Sequence, residues 1–430
     1  MEAKTLYSYF LKSSSVITDT RKIEKNALFF CLRGENFNGN KFAKEALQKG
    51  AAFVVIDDSE YFKENSQYIL VEDCLKSLQE LAKYHRLQFD IPVIGLTGSN
   101  GKTTTKELIY SVLSEQFNTT ATFGNLNNHI GVPLTLLRIN KNTEIALIEM
   151  GANHLKEIEF LCNITKPTHG YITNFGKAHL EGFGSIEGVI QGKSELYKSL
   201  ENTKGTALIN SEDKLQVRLT KNQAKQQFGN KEADIVITSN NYTTKDNNYL
   251  SVSFQSTIIN SKLKGTYNYS NIKAAIAFGF IFDISLEKIK KGIEGYIPKN
   301  NRSQWLKTER NTVILDAYNA NPSSMTVALE SLLNSNTKNK ILILGDMLEL
   351  GDYAADEHQK IIEILNKKTP ETVILVGKEF KKTKTSNSNF HKFEETKDVI
   401  PFLQKKNFQN KTILIKGSRG IALEVLQEYL

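Results

Sequence analysis

The chain has 430 residues, 40% of them hydrophobic and 24% charged, which excludes a disordered or fibrous polypeptide and allows about three domains of ~100–200 residues each. Its 55 Lys and Arg against 47 Asp and Glu leave a net charge of +8, spread along the chain and not gathered into the basic stripe of a nucleic-acid binder, so no nucleic-acid partner is expected. The longest apolar runs, AAFVVI (51–56) and KAAIAFGFIF (273–282), fall short of the ~20 residues that span a bilayer, and no transmembrane segment is expected.

The opening MEAKTLYSYFLKSSS lacks the contiguous apolar segment of a secretory signal. Residues 1–90 then alternate apolar runs with helical stretches: ALFFCL (28–33), a helix over 40–49, AAFVVI (51–56) and a helix over 74–87. This pattern predicts a small α/β unit. Cys31, Cys74 and Cys162 are odd in number and too far apart for CxxC chemistry, so a reducing cytoplasm is expected.

A second unit opens at Ile91 and runs to residue 297. IPVIGLT is a buried strand that leads through a glycine-rich turn into the helix KTTTKELIYSVLSEQ. IALIEM (145–150), GYITN (170–174) and GTALIN (205–210) follow as further strands with helices between them. Strands alternating with helices predict a mostly parallel sheet. Residues 233–266 change to period-2 patterns such as YLSVSF and predict an antiparallel patch. YIPKNNR (296–302) is the candidate linker to a third unit, 298–430. That unit reads TVILDAY, a helix from Pro322, KILILGD, a helix over 356–367, TVILVG, KTILIKG and a closing helix to Leu430.

The sharpest chemical signal is Thr97-Gly98-Ser99-Asn100-Gly101-Lys102-Thr103-Thr104, between a strand and a helix. Glycines let several backbone N–H groups turn toward one anion, and the helix N-terminus adds its dipole. Lys102 would reach β/γ-phosphate oxygens and the Thr103 hydroxyl a Mg²⁺ ion. Leu96 stands where the general phosphate-loop pattern has a further glycine. Glu149, at the end of the next strong strand, could join that cation site, since Mg²⁺ takes only one or two protein carboxylates. His179 follows a strand end, where open α/β sheets place ligands. By local sequence alone His179 also reads as a hydrogen-bonded structural residue and Lys193 as a surface lysine.

TGSNGKTTT, FGNLNNHIGVPLTLL, IEMGANHLKEI, TNFGKAHLEGFGS, GTYNYSNIKAA, LDAYNANPSSM, LGDMLELG and KGSRG occur in one order over nearly the whole chain. Together they resemble the Mur ligases, the ATP-dependent amide ligases of peptidoglycan synthesis, whose phosphate loop has the short GxxGKT form. DTRKIEKNALFFCLRGENFNGNKFA resembles the family's UDP-binding domain. DAYNANPSSM with LGDMLELG resembles the members that join D-Ala-D-Ala to UDP-N-acetylmuramoyl-tripeptide. The resemblance implies three domains: 1–90 for the UDP-sugar, 91–297 as a central P-loop ATPase domain with a parallel sheet, and 298–430 as a Rossmann-like α/β domain.

It also implies roles. Thr97 to Thr104 bind ATP phosphates, with Asn268 and Asn271 on adenine and Arg302 and Asp316 on phosphate and ribose. Thr103 and Glu149 would hold one Mg²⁺, and His179 a second with a carbamoylated Lys193, so that Lys102, His179 and Lys193 form the catalytic set. Asp19, Thr20 and Arg21 would take the UDP end of the acceptor, and Asn127 and Asn128 face its sugar peptide. Asn319, Asn321 and Arg419 would receive the dipeptide, and a cytoplasmic monomer is expected. Sister ligases adding a single amino acid, folylpolyglutamate synthase, a P-loop ATPase switch and an inactive UDP-sugar-binding module are the rival readings.

Overall fold

In the computed structural model, residues 1–240, 249–299, 301–335, 337–368 and 370–430 are described. The phosphate-loop strand Val93–Thr97 is buried along its whole length, as is its neighbour Ile145–Glu149. Strands covered on both faces read as continuous apolar runs, which is why VIGLT and IALIE were legible. Successive residues serve opposite cores: Val93, Ala146 and Ile148 pack with Leu161 and Leu196, whereas Ile94, Leu96 and Leu147 pack with Leu108, Val112 and Ile272.

Nine described strands form the central sheet, in the spatial order Thr257–Asn260, Ser251–Phe254, Ile235–Asn240, Lys225–Gly229, Thr206–Asn210, His169–Ile172, Val93–Thr97, Ile145–Glu149 and Thr119–Ala121. Pairing is parallel from Thr119–Ala121 through Ile235–Asn240 and antiparallel beyond it. The antiparallel patch expected over 233–266 is therefore present, and Ile235–Asn240 begins with alternating buried and exposed residues as a half-solvated strand should. Residues 241–248 of that span lie outside the described residues. After Val93–Thr97 the chain adds strands on one side and later crosses to the other, so the phosphate loop sits at a topological switch point.

A four-stranded parallel sheet precedes the central one, built from Val16–Ile17, Leu28–Phe30, Phe53–Ile56 and Tyr68–Leu70. The helix expected over 40–49 is a 3₁₀ turn, Gly39–Phe42, followed by the α-helix Ala43–Gln48. Asn38 accounts for the tighter start, because its carboxamide accepts the Asn40 N–H at 3.0 Å.

The C-terminal sheet orders Gln304–Lys307, Thr312–Asp316, Thr412–Lys416, Lys340–Gly345, Thr372–Val376 and Phe390–Phe393, parallel except for the first pair. Gln304–Lys307 directly follows the expected linker and was not read from the sequence. The last strand, Thr412–Lys416, is inserted between two earlier ones, so the loops after Asp316, Gly345 and Lys416 emerge side by side. The expected closing α-helix is corrected to two 3₁₀ segments, Arg419–Ile421 and Leu423–Tyr429. Ala422 between them has a left-handed φ of 55°, which interrupts any α-helix, and Leu423 and Leu426, three apart, share one buried face at 3₁₀ spacing.

Candidate active site

The phosphate loop is shaped by what its glycines avoid. Gly98 has φ +139°, and a Cβ there would lie 2.0 Å from Thr173 Oγ1. The Thr173 hydroxyl donates to the Asn100 carbonyl at 2.6 Å, the Ser99 hydroxyl donates to the Gly176 carbonyl at 2.8 Å, and the Asn100 N–H donates to Asn174 Oδ1 at 3.1 Å. The loop is thus fixed by the neighbouring strand end before any ligand arrives. Helix Lys102–Leu113 starts without a side-chain cap, leaving its first N–H groups for an anion. Lys102 curls inward, its ammonium donating to the carbonyls of Gly98 at 2.7 Å and Ser99 at 3.3 Å. Burial pushes its pKa down, against the pull of Glu149.

Glu149 is 1% exposed. Its Oε1 accepts from the Thr103 hydroxyl at 3.2 Å and from Asn127 Nδ2 at 2.8 Å, while Oε2 is buried without a hydrogen-bond partner. A buried carboxylate oxygen left unpaired is costly, and a cation is the natural complement. Among the described residues no three His, Cys, Asp or Glu side chains cluster as a metal cage. Mg²⁺ held mainly by phosphate oxygens and water needs no such cage, so Thr103 and Glu149 fit the ion.

Lys193 is not on the surface. It lies within helix Ile186–Thr203, fully buried, its amine donating to the Ala152 carbonyl at 2.8 Å. Burial holds its pKa well below the usual lysine range, and the charge of Lys102 pushes the same way. A neutral amine is the form that can react with CO₂, so the site fits the carbamate that the resemblance implies. His179 lines the cleft at the start of a short helix, and its Nδ1 pairs with the Glu349 carboxylate.

On the far side of the central sheet, Asn268 and Asn271 form one hydrogen-bonded chain. The Thr105 hydroxyl donates to Asn271 Oδ1 at 2.9 Å, Asn271 Nδ2 to Asn268 Oδ1 at 2.8 Å, and Asn268 Nδ2 to the Lys264 carbonyl at 2.8 Å. Gly101, φ +78°, is pressed against this pair, with a Cβ position 2.9 Å from Asn271 Oδ1.

The C-terminal sheet faces these groups across a cleft of about 1080 Å³. Arg302 lies 3.7 Å from the centre of the Tyr318 ring, with its Nε buried and unpaired. Asp316 accepts from Lys416 Nζ at 2.6 Å and from the Ser303 N–H at 3.0 Å. Asn319 lines the cleft, and Arg419 stands exposed there, 5.5 Å from the Tyr318 ring centre. Asn321 is committed twice: its Oδ1 caps helix Pro322–Leu333 through the Ser324 N–H at 2.9 Å, and its Nδ2 donates to Asn100 Oδ1 of the phosphate loop at 2.7 Å. The Ser418 hydroxyl donates to the Ala320 carbonyl at 3.2 Å and accepts the Leu348 N–H at 2.9 Å, tying the three adjacent loops together.

Asn127 and Asn128 also line the cleft, although Asn127 supports Glu149 and Asn128 Oδ1 accepts the N–H groups of Ile130 and Gly131 at 3.1 and 2.9 Å. Thr104, Ser99 and Thr103 open onto it, whereas Thr97 is buried beneath the loop. Asp19, Thr20 and Arg21 do not line it: they form a turn on the N-terminal unit, where hydrogen bonds from Arg21 hold the Asp19 carboxyl at a pKa of about 2. Sequence reasoning missed Glu349 as a cleft residue, although the LGDMLELG motif contains it. It also missed the contact of Lys177 with Glu357 at 2.8 Å, for which no local pattern gives a signal.

Residues 12–86, 96–279 and 301–419 match family models described as the Mur ligase family catalytic domain, the Mur ligase middle domain and the Mur ligase glutamate ligase domain. The UDP-N-acetylmuramoyl-tripeptide–D-alanyl-D-alanine ligase of Buchnera aphidicola from Baizongia pistaciae is 36% identical, covering 99% of this chain and 94% of its own length. The ligase of the same name from Bacillus subtilis is 36% identical over 95% of this chain and 91% of its own. Among solved structures, MurF from Acinetobacter baumannii superposes with a TM-score of 0.87 at 29% identity, covering 99% and 98% of the two chains. MurF from Thermotoga maritima in complex with ADP gives 0.84 at 25% identity, covering 98% and 97%.

Proposed function

This chain belongs to the Mur ligase family, and on that premise we infer how it works: it is an ATP-dependent amide ligase that joins D-alanyl-D-alanine to UDP-N-acetylmuramoyl-tripeptide for peptidoglycan synthesis. One observation carries the reading furthest. The uncapped start of the phosphate-loop helix and the three loops of the C-terminal sheet line a single cleft, large enough for a nucleotide beside a peptide end.

In the proposed mechanism, a carboxylate oxygen of the tripeptide attacks the γ-phosphorus of ATP, and ADP leaves with the bridging oxygen. The dipeptide amine then attacks the acyl carbon of the resulting acyl phosphate, and the tetrahedral intermediate collapses with loss of inorganic phosphate and a proton. Lys102, the loop N–H groups and Arg302 offset the repulsion between carboxylate and γ-phosphate and stabilise the charge of the transferring phosphoryl group. Mg²⁺, when held by Thr103 and Glu149, would supply further neutralisation of the phosphate oxygens. Asn268 and Asn271 orient the base, and Asp316 is the ribose contact. His179 and Lys193, the latter as a carbamate, would hold a second Mg²⁺ that supplies charge neutralisation near the acceptor carboxylate. Asn319 and Arg419 receive the dipeptide, the Arg419 fork matching both oxygens of its carboxylate. Asn321 serves this site through the phosphate loop, which it braces. Asp19, Thr20 and Arg21 hold the UDP end on residues 1–90, remote from the chemistry carried by 91–297 and 298–430.

We place the enzyme in the cytoplasm as a monomer. No helix among the described residues is long and apolar enough to cross a membrane, and Cys31, Cys74 and Cys162 are free and buried.

Phosphate release with ATP and UDP-N-acetylmuramoyl-tripeptide, with and without D-alanyl-D-alanine, tests the reading. Release dependent on both is expected; equal release without the dipeptide would indicate a nucleotide switch. If glutamate or single amino acids are ligated as well as the dipeptide, the amine assignment is wrong while the phosphoryl chemistry survives.

A further inference from the structure

Tyr318 stands in the turn that leaves strand Thr312–Asp316, between two buried alanines: Ala317 belongs to the core that holds Val313 and Leu315, and Ala320 to the core that holds Met325 and Leu329. The ring between these anchors is half-buried and opens onto the cleft. Two guanidinium groups meet it. Arg302 Cζ lies 3.7 Å from the ring centre and Arg419 Cζ 5.5 Å from it. The shorter distance puts Arg302 on the ring face, because a group approaching the edge is kept farther from the centre. The placement of Arg302 is fixed through its neighbour: the Ser303 N–H donates to Asp316 Oδ1 at 3.0 Å, and the hydroxyls of Ser303 and Tyr267 are hydrogen-bonded at 2.8 Å. Asn301 and Ser303, on either side of Arg302, have left-handed backbones with φ +55° and +48°. That conformation is uncommon for serine and persists where the surroundings enforce it.

An arginine paired with a carboxylate spends its N–H donors on that partner. Here the acid of the turn, Asp316, is taken by Lys416 Nζ and the Ser303 N–H, and Arg302 Nε is buried without a partner. A ring face holds a guanidinium without consuming its N–H groups, which lie in the guanidinium plane and stay available to phosphate or carboxylate oxygens. The negative face of one ring also offsets the repulsion between two like charges brought to it. We propose that Tyr318 is a positioning residue for both anions of the reaction: its ring holds Arg302 for the nucleotide phosphates and Arg419 for the dipeptide carboxylate, so that one side chain sets the affinity of two substrates. The ring makes these contacts, and the phenolic hydroxyl is not part of them. The inference rests on the ligase reading for the identity of the two anions, but the dependence of Arg302 on the ring is independent of that reading.

The test measures, on the full chain, equilibrium binding of an ATP analogue that cannot transfer its γ-phosphate, and then the KM of each substrate in ligation. Tyr318→Leu and Tyr318→Met both remove the ring and differ in shape, so poor folding of one leaves the other to carry the measurement. Each should weaken analogue binding and raise the D-alanyl-D-alanine KM by about 2- to 30-fold, with the KM of UDP-N-acetylmuramoyl-tripeptide unchanged. Tyr318→Phe, which keeps the ring, should stay near wild type. In an Arg302→Met background, Tyr318→Leu should weaken analogue binding no further, because the partner of the ring is already gone. Wild-type analogue affinity in the ring-less variants, a phenylalanine variant as impaired as they are, an equal rise in the KM of all three substrates, or additive losses in the double variant would each overturn the proposal. Failure of the wild type to ligate the dipeptide would overturn the ligase reading instead, leaving analogue binding to decide this one.

Discussion

The ammonium of Lys264 lies 3.8 Å from the centre of the Trp305 ring, joining the segment that carries Asn268 and Asn271 to the first strand of the C-terminal sheet. The Tyr249 ring lies 4.9 Å from the same ammonium, and the Lys264 carbonyl accepts from Asn268. Cation–π contacts contribute about 0.5–2 kcal/mol, depending on how far the cation is desolvated, and burial here pushes the Lys264 pKa down. Trp305 is the one tryptophan of the chain, so its fluorescence should report this junction directly. Saturation with an ATP analogue is expected to change the emission, and Lys264→Met to remove most of that change. An emission spectrum indifferent to nucleotide would show that the junction does not respond to the site.

Lys102→Ala should reduce ligation by about 10²–10³, the usual cost of losing one preorganised contact to developing charge. Its ammonium also satisfies the carbonyls of Gly98 and Ser99, so a small fall in melting temperature should accompany the kinetic loss. Wild-type turnover in the variant would remove Lys102 from the mechanism.

Glu149→Gln retains the shape of the side chain but not the charge on its unpaired Oε2. The Mg²⁺ concentration needed for half-maximal rate should rise by about tenfold or more, with little change in the ATP KM at saturating metal. A superimposable Mg²⁺ titration would refute the assignment of Glu149 to the cation.

Lys193→Ala should be inactive and partly restored by small carboxylates, because the cavity it leaves matches the anionic end of a carbamate. In the wild type, removing CO₂ should slow the reaction and bicarbonate should restore it. Acid should act in the same direction as CO₂ removal, since protonation of the amine competes with carbamate formation. Full activity of Lys193→Ala in CO₂-depleted buffer would make the lysine a structural residue only.

Acid stability supplies a separate check. Burial lowers the pKa values of His85 and His358 below the ordinary histidine value near 6.5. Unfolding restores that ordinary value, so below about pH 6.5 the unfolded chain binds more protons than the folded one. Their contribution is therefore complete above that pH and declines as pH falls toward their folded-state pKa values. The melting temperature should drop between about pH 7 and 5, and the drop should be shallower in His358→Gln, in which the amide oxygen can still accept the Met347 N–H.

The parts of this molecule legible in sequence are those whose cause is local. The phosphate loop was readable because glycine geometry, strand burial and helix start are written within Val93–Leu113. Glu149 was readable as a strand-end acid, but its isolation is set by Thr103 and Asn127, which come from two other segments. Lys193 looked like surface because its neighbours Gln191, Ser194 and Glu195 are polar. Ser194 and Glu195 are buried as well: the Glu195 carboxylate accepts the N–H groups of Lys156 and Glu159 at 2.7 and 2.9 Å. That helix buries a polar face against another helix start, and amphipathic periodicity has no means of signalling it. The pairing of His179 with Glu349 spans 170 residues and depends on how two sheets meet.

The Ser418 hydroxyl, which reaches Ala320 and Leu348 at once, makes the three cleft loops of the C-terminal sheet a mechanical tripod. Legs joined at one oxygen cannot lengthen or swing independently without losing a buried hydrogen bond. A change of amine substrate on this scaffold is therefore more accessible through exchange of side chains on fixed backbone, at positions such as Asn319, Leu348 and Arg419, than through insertions in any one leg. Libraries confined to those three positions should yield more folded, altered-specificity variants than libraries of loop length, and a Ser418→Ala background should narrow that difference.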